Sequence, residues 1–226
     1  TELRGEIDWY APHWDDRASR GNGIFKLDQR LFGFLSVGSS SSKPISASFQ
    51  VGFKGEDRGS TTYFADIGWT WRPVSNLSFD FDYRMRKLDG WLVYQADRDF
   101  TTFKGVDLQP RLAIDYFITA RQQLRLTMQW AGIKATEQRF WQVPLSPGEL
   151  VRRAKDPADE VDDFTISRLT AQLRYRWEIG PLSDLFVVYT RGSNLDNRIT
   201  ADFEDLFHDS ITNPIVDILI FKLRYR

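Results

Sequence analysis

The feature that most constrains the fold of this chain is an alternation of apolar and polar residues that recurs along most of its length. In the final segment, Leu219, Phe221 and Leu223 occupy one set of alternate positions. Lys222 and Arg224 occupy the other set. A period of two predicts a β-strand whose two faces contact different environments. Because the pattern recurs, it predicts an all-β chain.

Ten segments have this strand-like character. Nine alternate clearly, while the segment from Ile24 to Val37 is mixed because Phe32 and Phe34 lie on its more polar side. The predicted strands cover approximately residues 2–9, 24–37, 45–54, 62–72, 77–96, 107–118, 124–130, 169–178, 184–190 and 215–226. Asp89-Gly90 offers an alternative, since this dipeptide favours a tight hairpin that would divide segment 77–96. We favour one long strand, because it preserves the sorting of connections described next.

The connections between the predicted strands alternate in length. The three longest, residues 10–23, 141–163 and 191–214, all fall on one side of the predicted sheet. Bacterial outer-membrane barrels have this arrangement, with long extracellular loops and short periplasmic turns. The sequence therefore predicts a single antiparallel up-and-down transmembrane β-barrel over residues 1–226, with its C-terminus in the periplasm of a Gram-negative bacterium.

Composition agrees with this class and disfavours others. The chain has 226 residues, with 30 basic and 31 acidic side chains, so it lacks the basic excess of a nucleic-acid-binding protein. It has no cysteine, which excludes disulfides and thiolate metal sites. Mean hydropathy is −0.42, and no apolar run is long enough for a transmembrane helix. Low hydropathy is compatible with a membrane barrel, because only alternate strand residues face lipid.

Alternation also assigns the two faces. The polar face would line the lumen, and its candidate residues are Arg72, Asp80, Asp82, Arg84, Arg86, Arg111, Asp115, Arg125, Arg174, Arg176, Lys222 and Arg224. The apolar face would contact lipid, and its girdle candidates are Trp69, Trp71, Trp130, Tyr175, Trp177, Tyr189, Phe221 and Tyr225. We interpret the polar face as a wall of mutually paired charges. The alternative is a selectivity surface, in which basic residues toward the periplasmic strand ends favour anions.

The sequence gives little support for catalysis or metal binding. The run His208-Asp209-Ser210 contains the residue types of a hydrolase triad, but neighbours along a chain rarely converge on one reacting atom. The acidic run 156–163 carries oxygen ligands that Ca²⁺ prefers, yet it lacks the spacing and turn glycine of a calcium loop. We therefore predict no enzyme activity, no cofactor and no resident metal.

Three stretches carry a resemblance to a known family. They are GWLVYQ at residues 90–95, QQLRLTMQWAGIKA at residues 122–135 and PLSDLFVVYTR at residues 181–191. Over roughly residues 88–226 the chain is similar to outer-membrane proteins that carry an N-terminal carbohydrate-binding-family-9-like module and a C-terminal barrel of unassigned function. The resemblance implies that the chain is the C-terminal part of a longer protein whose soluble module is not included here. It implies no catalytic residues.

The expected function is a pore or transport barrel, or a membrane anchor for that soluble module. The alternative is a filled barrel that acts as an interaction or scaffold subunit of an outer-membrane complex, or that binds surface glycans. Expected partners are outer-membrane lipid, the barrel-assembly machinery acting on the C-terminal strand, and other subunits. The resemblance favours missing strands that precede Thr1. The alternative is that the first strand pairs with the last and closes a ten-stranded barrel.

Overall fold

A computed structural model describes residues 1–155 and 161–225, and most of these residues are in β-strands. The elements, in chain order, are β1 (Glu2–Tyr10), β2 (His13–Asp15), β3 (Phe25–Leu27), β4 (Arg30–Gly38), β5 (Ile45–Gly55), β6 (Thr61–Val74), β7 (Leu77–Tyr94), β8 (Asp99–Thr119), β9 (Gln122–Gln142), β10 (Gly148–Glu149), β11 (Val151–Arg153), β12 (Phe164–Gly180), β13 (Ser183–Leu195), α1 (Phe203–Thr212) and β14 (Val216–Arg224). The predicted all-β class is confirmed.

The main sheet is an antiparallel meander. Its strand order is β1-β4-β5-β6-β7-β8-β9-β12-β13-β14, with β11 added beside part of β9. A second, three-stranded sheet contains β10, β3 and β2. Within the described residues β1 pairs only with β4, and β14 pairs only with β13. The main sheet is therefore open at both edges and is not closed into a barrel.

Several predicted strands differ from the observed ones, and β9, for example, continues to Gln142 rather than ending near residue 130. The segment Ile24 to Val37 is divided into β3 and β4, which belong to different sheets. Strand β8 starts at Asp99, so the connection predicted at residues 97–105 is wrong. The sequence does not identify the beginning of this strand, because residues 100–103 are all buried. A strand covered on both faces loses the alternation by which strands are recognised.

Strand β7 is continuous, as the preferred interpretation predicted, and the hairpin alternative at Asp89-Gly90 is wrong. Gly90 instead forms a bulge: Asp89 pairs with Lys104 and Trp91 pairs with Phe103, which leaves Gly90 without a partner in β8. Its φ of +77° is a conformation that suits glycine. A Cβ at this position would also lie 2.5 Å from the Cβ of Ser60. The bulge brings Trp91 onto the same face as Leu88.

The three longest connections of the meander lie at one end of the sheet, where residues 56–60 and 95–98 also form two short connections. Residues 39–44, 75–76, 120–121 and 181–182 join strands at the other end of the sheet, which we call the short-turn end. Residues 11–29, 143–163 and 196–215 join strands at the opposite end, which we call the long-loop end. Residues 156–160, which include most of the acidic run, lie outside the described residues.

Two small apolar clusters lie toward the long-loop end. In the first, Phe25 and Leu27 of β3 pack with Val143, Leu150 and Phe100. In the second, Leu206 of α1 is fully buried against Trp130 and Leu169. Helix α1 begins at the Asp202 cap, whose carboxylate accepts the amide hydrogen of Asp205 at 2.9 Å. This helix lacks the length and apolar character needed to cross a membrane.

Candidate functional site

The strand registers place apolar and polar residues on opposite faces of the meander. One row of directly paired residues joins Trp69, Phe81, Leu112 and Met128 across four strands. The next row, one residue along each strand, contains Gly68, Asp82, Arg111 and Gln129. Directly paired residues share a face, and consecutive residues lie on opposite faces. We call these faces the apolar face and the polar face.

The apolar face is more exposed than is expected for a water-soluble sheet, and two carboxylates of the polar face are buried. On the apolar face, Ile7 is 78% exposed and Phe221 is 68% exposed. On the polar face, Asp107 is 0% exposed and Asp184 is 1% exposed. Proteins in water bury large apolar side chains and leave most carboxylates at the surface. A contiguous exposed apolar surface of this extent marks contact with a partner or a membrane.

The apolar face contains a band without charged side chains. Across β1, β4, β5, β6 and β7 the band includes Leu3, Ile7, Trp9, Leu31, Leu35, Val37, Ile45, Phe49, Val51, Tyr63, Ile67, Trp69, Trp71, Phe79, Phe81, Tyr83 and Met85. It continues through Leu108, Leu112, Ile114, Tyr116, Leu124, Leu126, Met128, Leu173, Tyr175, Trp177, Leu185, Val187, Tyr189, Leu219, Phe221 and Leu223. Charged residues of this face lie toward its long-loop border in the described strands, among them Lys87, Asp89, Lys104, Lys134, Arg191 and Asp217. On β6 the band runs about nine residues, close to the span of a tilted membrane strand.

The girdle candidates lie on the apolar face, but one of them is covered. Trp69 and Trp71 are 42% and 38% exposed, and their rings stack with centroids 6.3 Å apart. Tyr225 is 85% exposed. Trp130, in contrast, is 4% exposed because the rings of Phe203 and Phe207 pack on it. Its placement beneath α1 does not fit the predicted contact with lipid.

The candidate lining residues all lie on the polar face, and most are paired. The cross-strand pairs are Arg84 with Asp66, Arg86 with Asp107, Arg111 with Asp82, Arg125 with Asp115, and both Arg176 and Arg224 with Asp184. Asp80 accepts a hydrogen bond from Thr70 at 2.7 Å, and Arg72 donates to the Ser41 carbonyl at 2.8 Å. The pairing agrees with the interpretation of the polar face as a wall of neutralised charge.

Two buried carboxylates organise this wall, and neither is among the residues predicted to line it. Asp184 is held between Arg176, whose Nε lies 3.0 Å from its Oδ1, and Arg224. Asp107 accepts from Arg86 Nε at 2.7 Å and from Gln109 at 3.0 Å. The sequence does indicate their face, since each lies an even number of residues from other polar residues on its strand. Their burial comes from neighbouring strands and has no local signature.

The basic ring predicted near the short-turn end is largely neutralised. Arg125, Arg176 and Arg224 are engaged by Asp115 or Asp184. Among the described residues, Arg174 and Lys222 form no side-chain hydrogen bond or ion pair. Arg174 is half-buried, whereas Lys222 is exposed.

A cavity of about 380 Å³ opens on the polar face toward the long-loop end. Its lining combines the apolar side chains of Phe32, Phe64, Leu88, Trp91 and Ile133 with Gln50, Lys54, Glu56, Thr62, Asp66, Arg84 and Arg86. The rings of Phe32 and Phe64 stack at a centroid distance of 5.8 Å. A Cβ on Gly52 would lie 2.4 Å from the Phe64 ring, so this glycine allows the ring to lie flat on the sheet.

The residues of the run His208-Asp209-Ser210 do not form a catalytic arrangement. The His208 ring is 3.7 Å from Asp209, but neither side chain forms a hydrogen bond with the buried Ser210. Ser210 Oγ lies 2.6 Å from Ser167 Oγ and donates to the Leu206 carbonyl at 2.8 Å. Trp130 Nε1 completes this network by donating to Ser167 Oγ at 3.0 Å. These contacts hold α1 on the apolar face.

Comparison with known proteins identified one family. The sequence profile of a family described as "Domain of unknown function (DUF5916)" matches residues 2–226. No curated protein and no solved structure matched the chain.

Proposed function

We propose that this chain, which belongs to the DUF5916 family, is part of an integral β-barrel of the bacterial outer membrane, with its apolar face on lipid and its polar face toward a lumen. The observation that carries the proposal is the uncharged apolar band opposite a wall of paired charges that includes the buried carboxylates Asp107 and Asp184. In a bilayer the exposed side chains of the band would be solvated by hydrocarbon, and the charges would stay wet inside.

The proposal also requires that the open sheet be closed into a barrel. Backbone groups at an open sheet edge cannot face hydrocarbon, because nothing there can accept or donate their hydrogen bonds. The free edges of β1 and β14 therefore pair with strands in the membrane. Those strands belong either to a larger barrel, as the family resemblance suggests, or to the opposite edge of this sheet.

The proposed role of the barrel is a pore, with a filled interaction barrel as the second candidate. Paired charges line water-filled channels, and this favours the pore. The aromatic rings that occupy the polar face around Phe64 and Trp91 favour the filled barrel. An upstream carbohydrate-binding module, for which the barrel would act as an anchor, is compatible with either role.

Conductance distinguishes these two roles. For a pore, we expect planar bilayers containing the purified chain to show discrete current steps, and Lys222→Gln to reduce the preference for anions over cations. Lys222 suits this test because it has no ion partner among the described residues. Stable insertion without current steps would instead support the filled barrel. A chain that remains dispersed in water without detergent would contradict both roles.

The proposed orientation is tested by peptide tags in two connections. A tag after Thr200, at the long-loop end, should be accessible to antibody on intact cells. A tag after Pro181, in the turn between β12 and β13, should become accessible only after the outer membrane is permeabilised. The reverse pattern would place the C-terminus outside the cell.

A further inference from the structure

Three lysines lie together on the apolar face at its long-loop border. Lys87 is paired with Val106, and Val106 is paired in turn with Lys134. Lys104 lies two residues from Val106 on the same strand and therefore on the same face. Neighbouring strands lie about 4.8 Å apart, and residues two apart on one strand lie about 7 Å apart. The three lysine Cα atoms are therefore within about 10 Å of one another. We call Lys87, Lys104 and Lys134 the lysine cluster.

The lysine cluster has no anionic partner within the described part of the chain. None of its three ammonium groups forms an ion pair there. Lys134 donates to the Ala201 carbonyl, a neutral acceptor, and its ammonium lies 6.0 Å from the centroid of the Phe203 ring. Asp89 is a negative charge directly opposite Lys104 on the same face, but it accepts a hydrogen bond from Gln138 at 3.0 Å and forms no ion pair with Lys104, so the three lysines keep an excess of positive charge.

This absence contrasts with the nearest cations on the opposite, polar face. Arg84, Arg86 and Arg111 each have a carboxylate partner there. Like charges on adjacent strands destabilise a sheet when nothing neutralises them. A bound anion would relieve that repulsion in the lysine cluster.

The position of the cluster indicates where such an anion would come from. Lys87 is cross-strand from Tyr63, which is 59% exposed, and follows Met85 in the uncharged band. Lysine and tyrosine side chains at the edge of an apolar band occupy the depth of lipid headgroups. The cluster faces outward at this depth, where phosphate groups of lipids are concentrated.

We propose that the lysine cluster binds the phosphate groups of a lipid headgroup in the leaflet at the long-loop end. The inference rests on the proposed membrane location and adds a specific lipid class as a partner. Clustered basic residues beside a membrane surface recognise phosphorylated headgroups in this way. The segment that carries Ala201 and Phe203 orients Lys134, so helix α1 forms one side of the site.

The test measures which lipid the inserted chain retains. The full chain is inserted into vesicles of phosphatidylcholine with or without a minor fraction of phosphatidic acid, whose headgroup is a phosphate monoester. Insertion is scored by protease protection, and retained lipid is scored by native mass spectrometry after detergent extraction. We expect about tenfold preferential retention of phosphatidic acid, and loss of that preference in the double variant Lys87→Gln/Lys104→Gln.

The matched control is Lys26→Gln/Lys43→Gln, which removes the same charge away from the band and should keep the preference. Insertion without preferential retention, or equal loss in the control, would overturn the lipid site while leaving the membrane proposal intact. Failure to insert into either vesicle would overturn both. If inorganic phosphate removes the preference when added at the same concentration as the lipid, the site takes a soluble anion and the lipid assignment is wrong.

Discussion

Replacing Leu173 by arginine should prevent the chain from inserting stably into bilayers, whereas the neighbouring change Gln172→Arg should have little effect. Leu173 lies on the apolar face between Leu126 and Tyr189. Gln172 lies on the polar face between Thr127 and Thr190. An arginine near the midplane on a lipid-facing position costs about 2–4 kcal/mol, and much less where water reaches it.

This pair of variants is well matched because the two residues are adjacent and gain the same side chain. The measurement is urea titration of the chain in phosphatidylcholine vesicles, with folding followed by the shift in gel mobility of unheated samples. Equal destabilisation by both changes would show that the two faces are assigned wrongly. Larger destabilisation by Gln172→Arg would place lipid on the polar face.

The second large effect is expected at Asp107, where Asp107→Ala should lower the free energy of unfolding by about 2–3 kcal/mol. The carboxylate is fully buried and accepts hydrogen bonds from Arg86 and Gln109. Its removal leaves both donors without their acceptor. The Arg86 side chain is 41% exposed, so water can still solvate it. The loss of unfolding free energy is therefore smaller than for a fully buried ion pair.

The control for this change is Asp82→Ala on the adjacent strand. Asp82 also pairs with an arginine across the sheet, but its side chain is 56% exposed and that of Arg111 is 52% exposed. Exposed pairs contribute about 0–1 kcal/mol. The same urea titration should therefore separate the two variants clearly. A comparable loss for both would mean that burial of Asp107 does not matter to stability.

The meander could be predicted from the sequence because it depends on patterns between residues that are close together along the chain. Alternation within each segment identifies the strands, and the lengths of the connections place them in order. Trp130 shows where local evidence ends, since its position in the alternation is correct but its cover comes from a helix more than seventy residues later. The start of β8 was missed for the same reason, because distant residues cover it: Phe25 packs on Phe100, and Phe164 packs on Phe103.

The polar face also contains apolar residues, which are exceptions to its predicted polar character. Phe32 and Phe64 occupy polar-face positions, where they stack on each other beside Gly52. Ile218 and Ile220 also lie on the polar face of β14, 48% and 50% exposed. A period of two assigns such residues to a face but cannot distinguish a hydrated, charged part of that face from an apolar part. The charged residues of the polar face were therefore predictable as a set, whereas the cavity around Phe64 required the register of five strands.

The meander has a consequence for how proteins of this kind can change in size. Each strand of the main sheet pairs with the strands that precede and follow it along the path, and no pairing skips a neighbour. Duplication or loss of one hairpin therefore leaves every other pairing intact. It also preserves the side on which each remaining connection emerges, because two strands are gained or lost together. The width of the sheet can thus evolve in steps of one hairpin, while the short turns stay at one end of the strands and the long loops at the other.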